Sequence, residues 1–465
     1  MYLLAANSNK PLYQQLYQQM RTKILNGELS ARTKLPSSRR LAAELYISRN
    51  TVDTAYQQLL SEGYIVGKSR SGYYVETLHN TKLSAFTEAV PDTAAGQVLP
   101  DEILYDFRYG NLSPQLFPFA QWQRLTNLCL QQDQGQFSNY NDFRGEPGLR
   151  QELVKYLHEY RDVRCTADQI WIAAGTMQCL LAVCQLLRPV ARAIAMEDPG
   201  FANAYLAFTN YGFAVPLIPV NSHGLNVKAL RAAAAQAVYV TPSHQFPTGR
   251  IMTITRRLQL IDWAYEQDSL IIEDDYNCHL RYDVKPAPAL QGLAPDKVIY
   301  IGSFSKILSP SLRVAYMVLP KKLTLQLQQK TENYACSVPL LIQKPLERFL
   351  QENFFESHLR KLLRQFKKKR DILLRSLQEH FGDSITVTGA NAGIHILVQL
   401  KLPVSSQELV ARAAQAGVAI NGDNLWVEAA PGNGARVLLG FGTIANEDID
   451  PAVRLLRQAW VQQGI

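Results

Sequence analysis

Residues 303–313 read "SFSKILSPSLR", which sets one lysine, Lys306, among hydroxyls and places Arg313 seven residues further on. A lysine amine can form a covalent adduct with a carbonyl compound. Ser303, Ser305 and an arginine beside it are groups that hold phosphate. The plainer alternative is a solvated loop lysine. Two other stretches carry comparable chemistry. "AAGTMQ" sets Gly175, Thr176 and Met177 between an apolar run and a helical one, where backbone N–H groups and the helix dipole can bind a phosphate. "EDDY" puts Asp274 and Tyr276 at the end of another apolar run; alone it could be an acidic turn or half of a metal site.

The elements that must position these residues are legible in the hydrophobic pattern. Apolar runs ("QIWIAAG", "ARAIAMED", "AVYVTPS", "SLIIEDD", "KVIYIGS", "RVAYMVLP") alternate with helical stretches. Strands that are apolar throughout and separated by helices predict a parallel sheet covered on both faces. Ligands bind at the carboxyl ends of such strands, and there the three stretches fall. From about residue 331 the pattern turns helical and then α+β, ending in "ARVLLGFGTI" and a last helix. The reading is an α/β main domain over 105–465, with a large lobe at about 105–330 and a small lobe at about 331–465.

One ligand accounts for all three stretches: pyridoxal 5'-phosphate. Its aldehyde needs an amine and its ring nitrogen an acid. Its phenolic oxygen needs a donor, and its phosphate needs hydroxyls, N–H groups and an arginine. The order of phosphate turn, acid, lysine and arginine resembles fold-type I aminotransferases. The resemblance covers 105–465 and implies further roles. Tyr140 in "NYNDFRGEPGLRQEL" would reach the phosphate of a neighbouring subunit, and Phe201 in "EDPGF" would stack on the cofactor ring. "TPSHQFPTG" matches the loop that usually reads Asn-Pro-Thr-Gly, and Arg436 in "ARVLLGFG" would bind a substrate carboxylate. Taken singly, Phe201 could be core, Arg436 a surface ion pair and Tyr140 plain packing.

The amino-terminal 77 residues differ in character. They hold ten Lys/Arg against five Asp/Glu, and so carry +5 of the chain's +8. Concentrated positive charge points to a polyanion. Pro11 opens a helix with Leu12, Leu16, Met20 and Ile24 at a four-residue period, and Gly27 ends it. "LPSSRRLAAELYI" predicts a second helix capped by Ser37 or Ser38. Ser48 caps a third, leaving Arg49, Asn50 and Thr51 on its exposed first turn. "YIVGKSRSGYYV" predicts two strands around a basic turn. Helix, helix, turn, helix and wing make a winged helix-turn-helix, whose third helix meets base edges in the major groove. Over residues 35–75 this resembles the GntR-type signature. That resemblance implies DNA contacts from Arg39, Ser48, Arg49, Asn50 and Thr51, and from Arg70 and Gly72 on the wing; Lys68 adds a phosphate contact. Residues 78–104, rich in Thr, Ala, Pro and Asp, read as a linker.

A GntR-type reader followed by an aminotransferase-like module resembles the MocR/GabR family of transcription regulators. The resemblance implies double-stranded operator DNA as a partner and a homodimer, with the reader of one chain against the large domain of the other. It also implies an aminotransferase-like pocket used as a sensor of an amino compound or of the cofactor, working through external aldimine formation at Lys306. Two departures bear on this. Phe246, flanked by His244 and Gln245, replaces the asparagine that normally donates to the cofactor's phenolic oxygen, leaving that role to Tyr276 and His244. Asn203 stands where the GABA-responsive member has an arginine, which disfavours GABA as effector. The alternative is an active aminotransferase of the aminoadipate type with an accessory DNA-binding domain. A cofactor-free relic is a third reading, against which the intact Asp274, Tyr276, Lys306 and Arg313 argue. The six cysteines show no metal-ligand spacing, so no metal site is expected. No secretion signal and no membrane-length apolar run is seen, so a cytoplasmic protein is expected.

Overall fold

The computed structural model describes residues 2–5, 10–69, 71–77, 103–282, 287–401, 404–422, 426–427 and 435–461. Arg70 and nearly all of the expected linker lie outside them. Contacts divide the chain into two units, Met1–Gln97 and Val98–Ile465.

The first unit holds α1 (Leu12–Leu25), α2 (Ser38–Leu45) and α3 (Arg49–Ser61), then β1 (Ile65–Lys68) and β2 (Gly72–Val75). Leu16, Met20 and Ile24 bury one face of α1 against Val52, Ala55 and Leu59 of α3. Ser37, not Ser38, caps α2 by accepting from the Arg40 N–H at 3.3 Å. Ser48 caps α3 by accepting from the Thr51 N–H at 3.1 Å. The strands pair antiparallel with Ile65 opposite Val75 and Lys68 opposite Gly72.

The second unit is built on an eight-stranded sheet of β3 (Ile170–Ala173), β4 (Ile194–Asp198), β5 (Leu217–Asn221), β6 (Gly224–Leu225), β7 (Ala237–Val240), β8 (Leu270–Asp274), β9 (Val298–Ser303) and β10 (Ala315–Val318), in the order β3-β10-β9-β8-β7-β4-β5-β6. Both faces are covered: Ile271 and Val298 pack on one side, Ile272 and Ile299 on the other. The expected all-parallel sheet is corrected here. β4, β5, β7, β8 and β9 run parallel, but β10 is antiparallel to both β9 and β3, and β6 is antiparallel to β5. The reason is local. Residues 304–314 between β9 and β10 hold only a short 3-10 turn at Pro310–Leu312, too little to carry a chain across the sheet for a parallel return. Two reversals restore the direction of β3, so its carboxyl end shares an edge with those of β8 and β9.

Two helices flank the sheet's functional edge, α4 (Pro147–Arg161) and α5 (Thr176–Leu187). Beyond the sheet come α6 (Phe354–Phe381), a three-stranded antiparallel sheet of β11 (Ile385–Thr388), β12 (His395–Leu400) and β13 (Arg436–Gly440), and α7 (Ile449–Val461). Among the described residues no helix is long and apolar enough to cross a membrane.

Candidate functional site

In the first unit, Arg39, Ser48, Arg49 and Asn50 are exposed and Thr51 is half-buried, all on α2 and the start of α3. The Ser48 hydroxyl is occupied by its cap, and the Arg49 guanidinium reaches Asp53 at 3.4 Å. On the wing, the Lys68 ammonium lies 4.8 Å from the centre of the Tyr74 ring, and Gly72 takes φ +102, a region that glycine tolerates. Sequence reasoning missed two residues. Tyr46, 97% exposed at φ +55, forms the turn between α2 and α3, a position where asparagine or glycine is the usual signal. Lys34 bridges to Tyr74 and so joins the wing. Arg49→Ala is expected to weaken binding to a recognised operator by about 1–3 kcal/mol while leaving non-specific DNA affinity nearly unchanged. Fluorescence anisotropy with operator and scrambled duplexes measures both, and equal losses on the two would remove Arg49 from base reading.

In the second unit, the strand ends meet around a cavity of about 320 Å³ lined by Thr176, Met177, Phe201, Asn203, Asp274, Tyr276, Ser303, Ser305, Lys306 and Arg313, together with Tyr109, Tyr239, Thr241 and Phe246. The Lys306 amine donates to the Gly110 carbonyl at 3.0 Å and sits 4.3 Å from the centre of the Tyr109 ring. Burial, and then the Arg313 charge, lower its pKa to about 8, so about a tenth is a neutral nucleophile at neutral pH, far more than for an ordinary lysine. Asp274 ends β8 only 4% exposed. Its Oδ2 accepts from the Tyr239 hydroxyl at 2.6 Å, while Oδ1 has no partner among the described residues. Burial pushes this carboxyl up to about 7, against the pull of the Tyr239 hydrogen bond.

At the other end of the cavity, Gly175 has φ +93, and a Cβ there would lie 2.1 Å from Arg313 Nη2. The guanidinium thus packs directly over the turn that opens α5, donating to the Ala174 carbonyl at 3.3 Å. Ser303 donates to Ser305 at 3.0 Å beside it. These residues fit pyridoxal phosphate on grounds internal to the chain. An unpartnered buried carboxylate oxygen would suit a ring nitrogen, an amine of lowered pKa would suit an aldehyde, and a guanidinium, hydroxyls and a helix start would suit an anion.

Three expected residues fall elsewhere. His244 is buried behind Tyr276, with its Nδ1 3.0 Å from the Tyr276 hydroxyl, and does not line the cavity. The Tyr276 hydroxyl donates to the His244 carbonyl at 2.9 Å. Arg436 is half-buried on β13, two residues from Leu438, which packs against Phe246; it too is outside the lining. Tyr140 is 95% exposed and away from the cavity of its own chain. Phe246 packs among the rings of Tyr109 and Phe201, both with centroids at 5.7 Å, and Tyr276 at 6.1 Å. Tyr109, Tyr239, Thr241 and, behind them, His395 escaped sequence reasoning. Tyr239 and His395 sit inside apolar runs that read simply as core strands.

Comparison with known proteins places this geometry. Residues 109–424 match the family described as aminotransferase class I and II, and residues 12–75 match the bacterial regulatory proteins of the gntR family. An archaeal alanine:glyoxylate aminotransferase structure superposes with a TM-score of 0.71 at 23% identity, covering 77% of this chain and 91% of that one, and so shares the fold. The molecule is therefore a winged-helix DNA-binding module fused to a fold-type I aminotransferase-like domain, a fold that implies pyridoxal phosphate. Over nearly its full length it is 37% identical to the uncharacterised HTH-type transcriptional regulator YdeL of Bacillus subtilis (97% of each chain). It is 30% identical to the probable rhizopine catabolism regulatory protein MocR of Rhizobium meliloti (99% of this chain, 96% of the relative). The chain belongs to the MocR-type family of HTH transcriptional regulators.

Proposed function

We propose that the protein is a cytoplasmic, homodimeric regulator whose second unit binds pyridoxal phosphate and reports an amino compound, or the cofactor itself, to the DNA-reading unit. The observation that carries this reading is the convergence of Lys306, the unpartnered Asp274 oxygen and the Arg313–Gly175 cradle on one cavity. When bound, the cofactor supplies an aldehyde that condenses with amines and a ring that withdraws electrons. Lys306 would hold the aldehyde end, and its neutral amine would be the group able to accept a proton there. Asp274, kept in place by Tyr239, pairs with the ring nitrogen, and that cation keeps the carboxyl ionised. Arg313, Ser303, Ser305 and the Gly175–Met177 turn hold the phosphate, while Phe201 covers one face. Tyr276 would serve the phenolic oxygen by turning its proton there from the His244 carbonyl, with His244 Nδ1 beside the hydroxyl. Tyr140 completes a partner subunit's site across the dimer, in which the reader of one chain lies against the large domain of the other. Asn203, on the cavity lining, takes one polar end of the effector, and Arg436, which lies outside the lining, is assigned the carboxylate end on the family resemblance alone.

For an effector to act on DNA binding it must bind one arrangement of the dimer better than another. Footprinting of DNA upstream of the protein's own coding region, with and without candidate amines, tests the reading; a footprint insensitive to every amine and to the cofactor would reject sensing.

The intact lysine and aspartate favour one second reading, a working aminotransferase. Phe246 weighs against it, because a phenyl ring offers no hydrogen bond to the phenolic oxygen. Phe246→Asn is expected to raise the half-transamination rate about tenfold, worth about 1.4 kcal/mol, while shifting effector affinity less. Stopped-flow absorbance measures both. Multiple turnovers by the unaltered chain with a keto acid present would favour the enzyme.

A further inference from the structure

The cavity does not account for the most charged element of the second unit. α6 carries eight Lys/Arg against three Asp/Glu, a net +5 equal to that of the first 77 residues. Subtracting both segments from the chain's +8 leaves −2 for all other residues. No acid occurs from Ser357 to Arg370. The charges are also sorted by face. Phe355, Leu359, Leu362, Phe366, Leu373 and Leu377 are buried on one side. Arg360, Lys361, Arg364, Lys367, Lys368 and Arg375 are exposed. At 3.6 residues per turn these six fall within a sector of about 120°, with Arg364 about 6 Å from Lys368 along the axis.

Of the helix's three acids, Glu379 is exposed four residues after Arg375, and the other two are held by arginines of the helix itself. Glu356 pairs with Arg360 at 2.7 Å, while Asp371 is taken at 2.7 Å by Arg370, which is itself buried. Like charges three and four residues apart destabilise a helix, so the stripe costs stability rather than adding it. Its chemistry selects the partner. The apolar face of α6 is spent in the core, so the helix cannot lie in a lipid surface by burying it. No aromatic side chain is exposed on it, so it offers no stacking platform for unpaired bases. What remains is a straight row of cations about 22 Å long from Arg360 to Arg375, suited to a regular line of phosphates.

We propose that the exposed face of α6 is a second, sequence-independent contact for the phosphate backbone of duplex DNA, additional to the winged helix. The proposal rests on the DNA-binding reading of the first unit, and its test separates the two. Full-length, cofactor-loaded protein is titrated with a mixed-sequence duplex of about 60 base pairs over a range of salt. Each phosphate contact contributes about −0.9 to the slope of log affinity against log salt. Arg364→Glu/Lys368→Glu/Arg375→Glu is expected to make that slope shallower by about 3 and to lower affinity at moderate salt at least tenfold. The neutral triple variant Arg364→Gln/Lys368→Gln/Arg375→Gln, with unchanged cofactor absorbance as its folding control, is expected to shift the slope the same way. Arg49→Ala is expected to change the slope by no more than about 1.

An unchanged slope in both triple variants would make the stripe a solvated face and overturn the proposal. So would an unchanged slope accompanied by loss of binding to phosphatidylserine vesicles, which would assign the face to membrane. If the unaltered chain binds no duplex at all, the DNA-binding reading falls first and this inference with it.

Discussion

Lys306→Ala is expected to abolish the visible absorption of the cofactor-loaded protein and the label fixed by borohydride, and to lower residual cofactor affinity by about 100-fold, worth about 2.8 kcal/mol. The covalent link depends on one amine, while Arg313, the Gly175 turn and Asp274 keep their non-covalent contacts. The fold is expected to survive, because among the described residues the amine donates to the Gly110 carbonyl and lies over the Tyr109 ring, and losing these contacts costs about 1–3 kcal/mol. The reading unit is expected still to fold and bind DNA, since Leu16, Met20, Val52 and Leu59 give it a core of its own. Peptide mapping that found the pyridoxyl mass on any other lysine would overturn the assignment of the site.

The second large effect is on stability, beside the cofactor acid. Arg161 closes α4 and is 1% exposed. It donates to Asp275 Oδ2 at 2.6 Å and to the Ser243 hydroxyl at 2.9 Å. Tyr300 donates to the same carboxylate at 2.8 Å. Burial alone would raise the Asp275 pKa; the Arg161 charge and these donors hold it below the usual carboxylate range. The sign follows from that direction. Asp275 adds stability that is present above its unfolded pKa and lost as pH falls through the lower folded one. Arg161→Ala strands the carboxylate and is expected to cost about 3–5 kcal/mol in urea unfolding followed by tryptophan fluorescence. The double variant Arg161→Met/Asp275→Leu is expected to recover most of the loss, because no buried charge then lacks a partner. A cost below about 1 kcal/mol for the single change would show that water reaches the pair.

How far these features could be read from sequence depended on whether a residue broke the local pattern. Asp274, Lys306 and Gly175 stand where an apolar run stops, and a polar or flexible residue there is conspicuous. Ser48 and Gly27 were legible because helix ends select few residue types. Tyr239 and His395 interrupt no pattern: an aromatic or an imidazole within a strand looks like core until its hydroxyl is seen at the cavity, or its ring against the lining residues Tyr109 and Phe246. The direction of β10 was equally hidden, since an apolar strand reads the same either way and only the brevity of residues 304–314 reverses it. His244 was expected at the ligand and lies one layer behind it, because Tyr276 fills the intervening space. Tyr140 and Arg436 lie outside the lining of the chain's own cavity, and spacing along the sequence does not encode that separation.

One contact gives α6 a mechanical role. His358, in its second turn, donates from Nε2 to the Ile307 carbonyl at 2.6 Å, the residue next to Lys306. Phe355 is wedged against Tyr156 with ring centres 5.1 Å apart, and at the far end Phe381 packs on Trp460 at 5.6 Å. A helix of 28 residues is about 42 Å long. Pivoting it by about 5° at His358 sweeps Phe381, about 34 Å away along the axis, through about 3 Å. The helix is thus a lever with its short arm on the chemistry. A shift at Ile307 too small to alter the pocket's shape arrives magnified where Phe381 meets α7, and the cationic stripe rides on the shaft between.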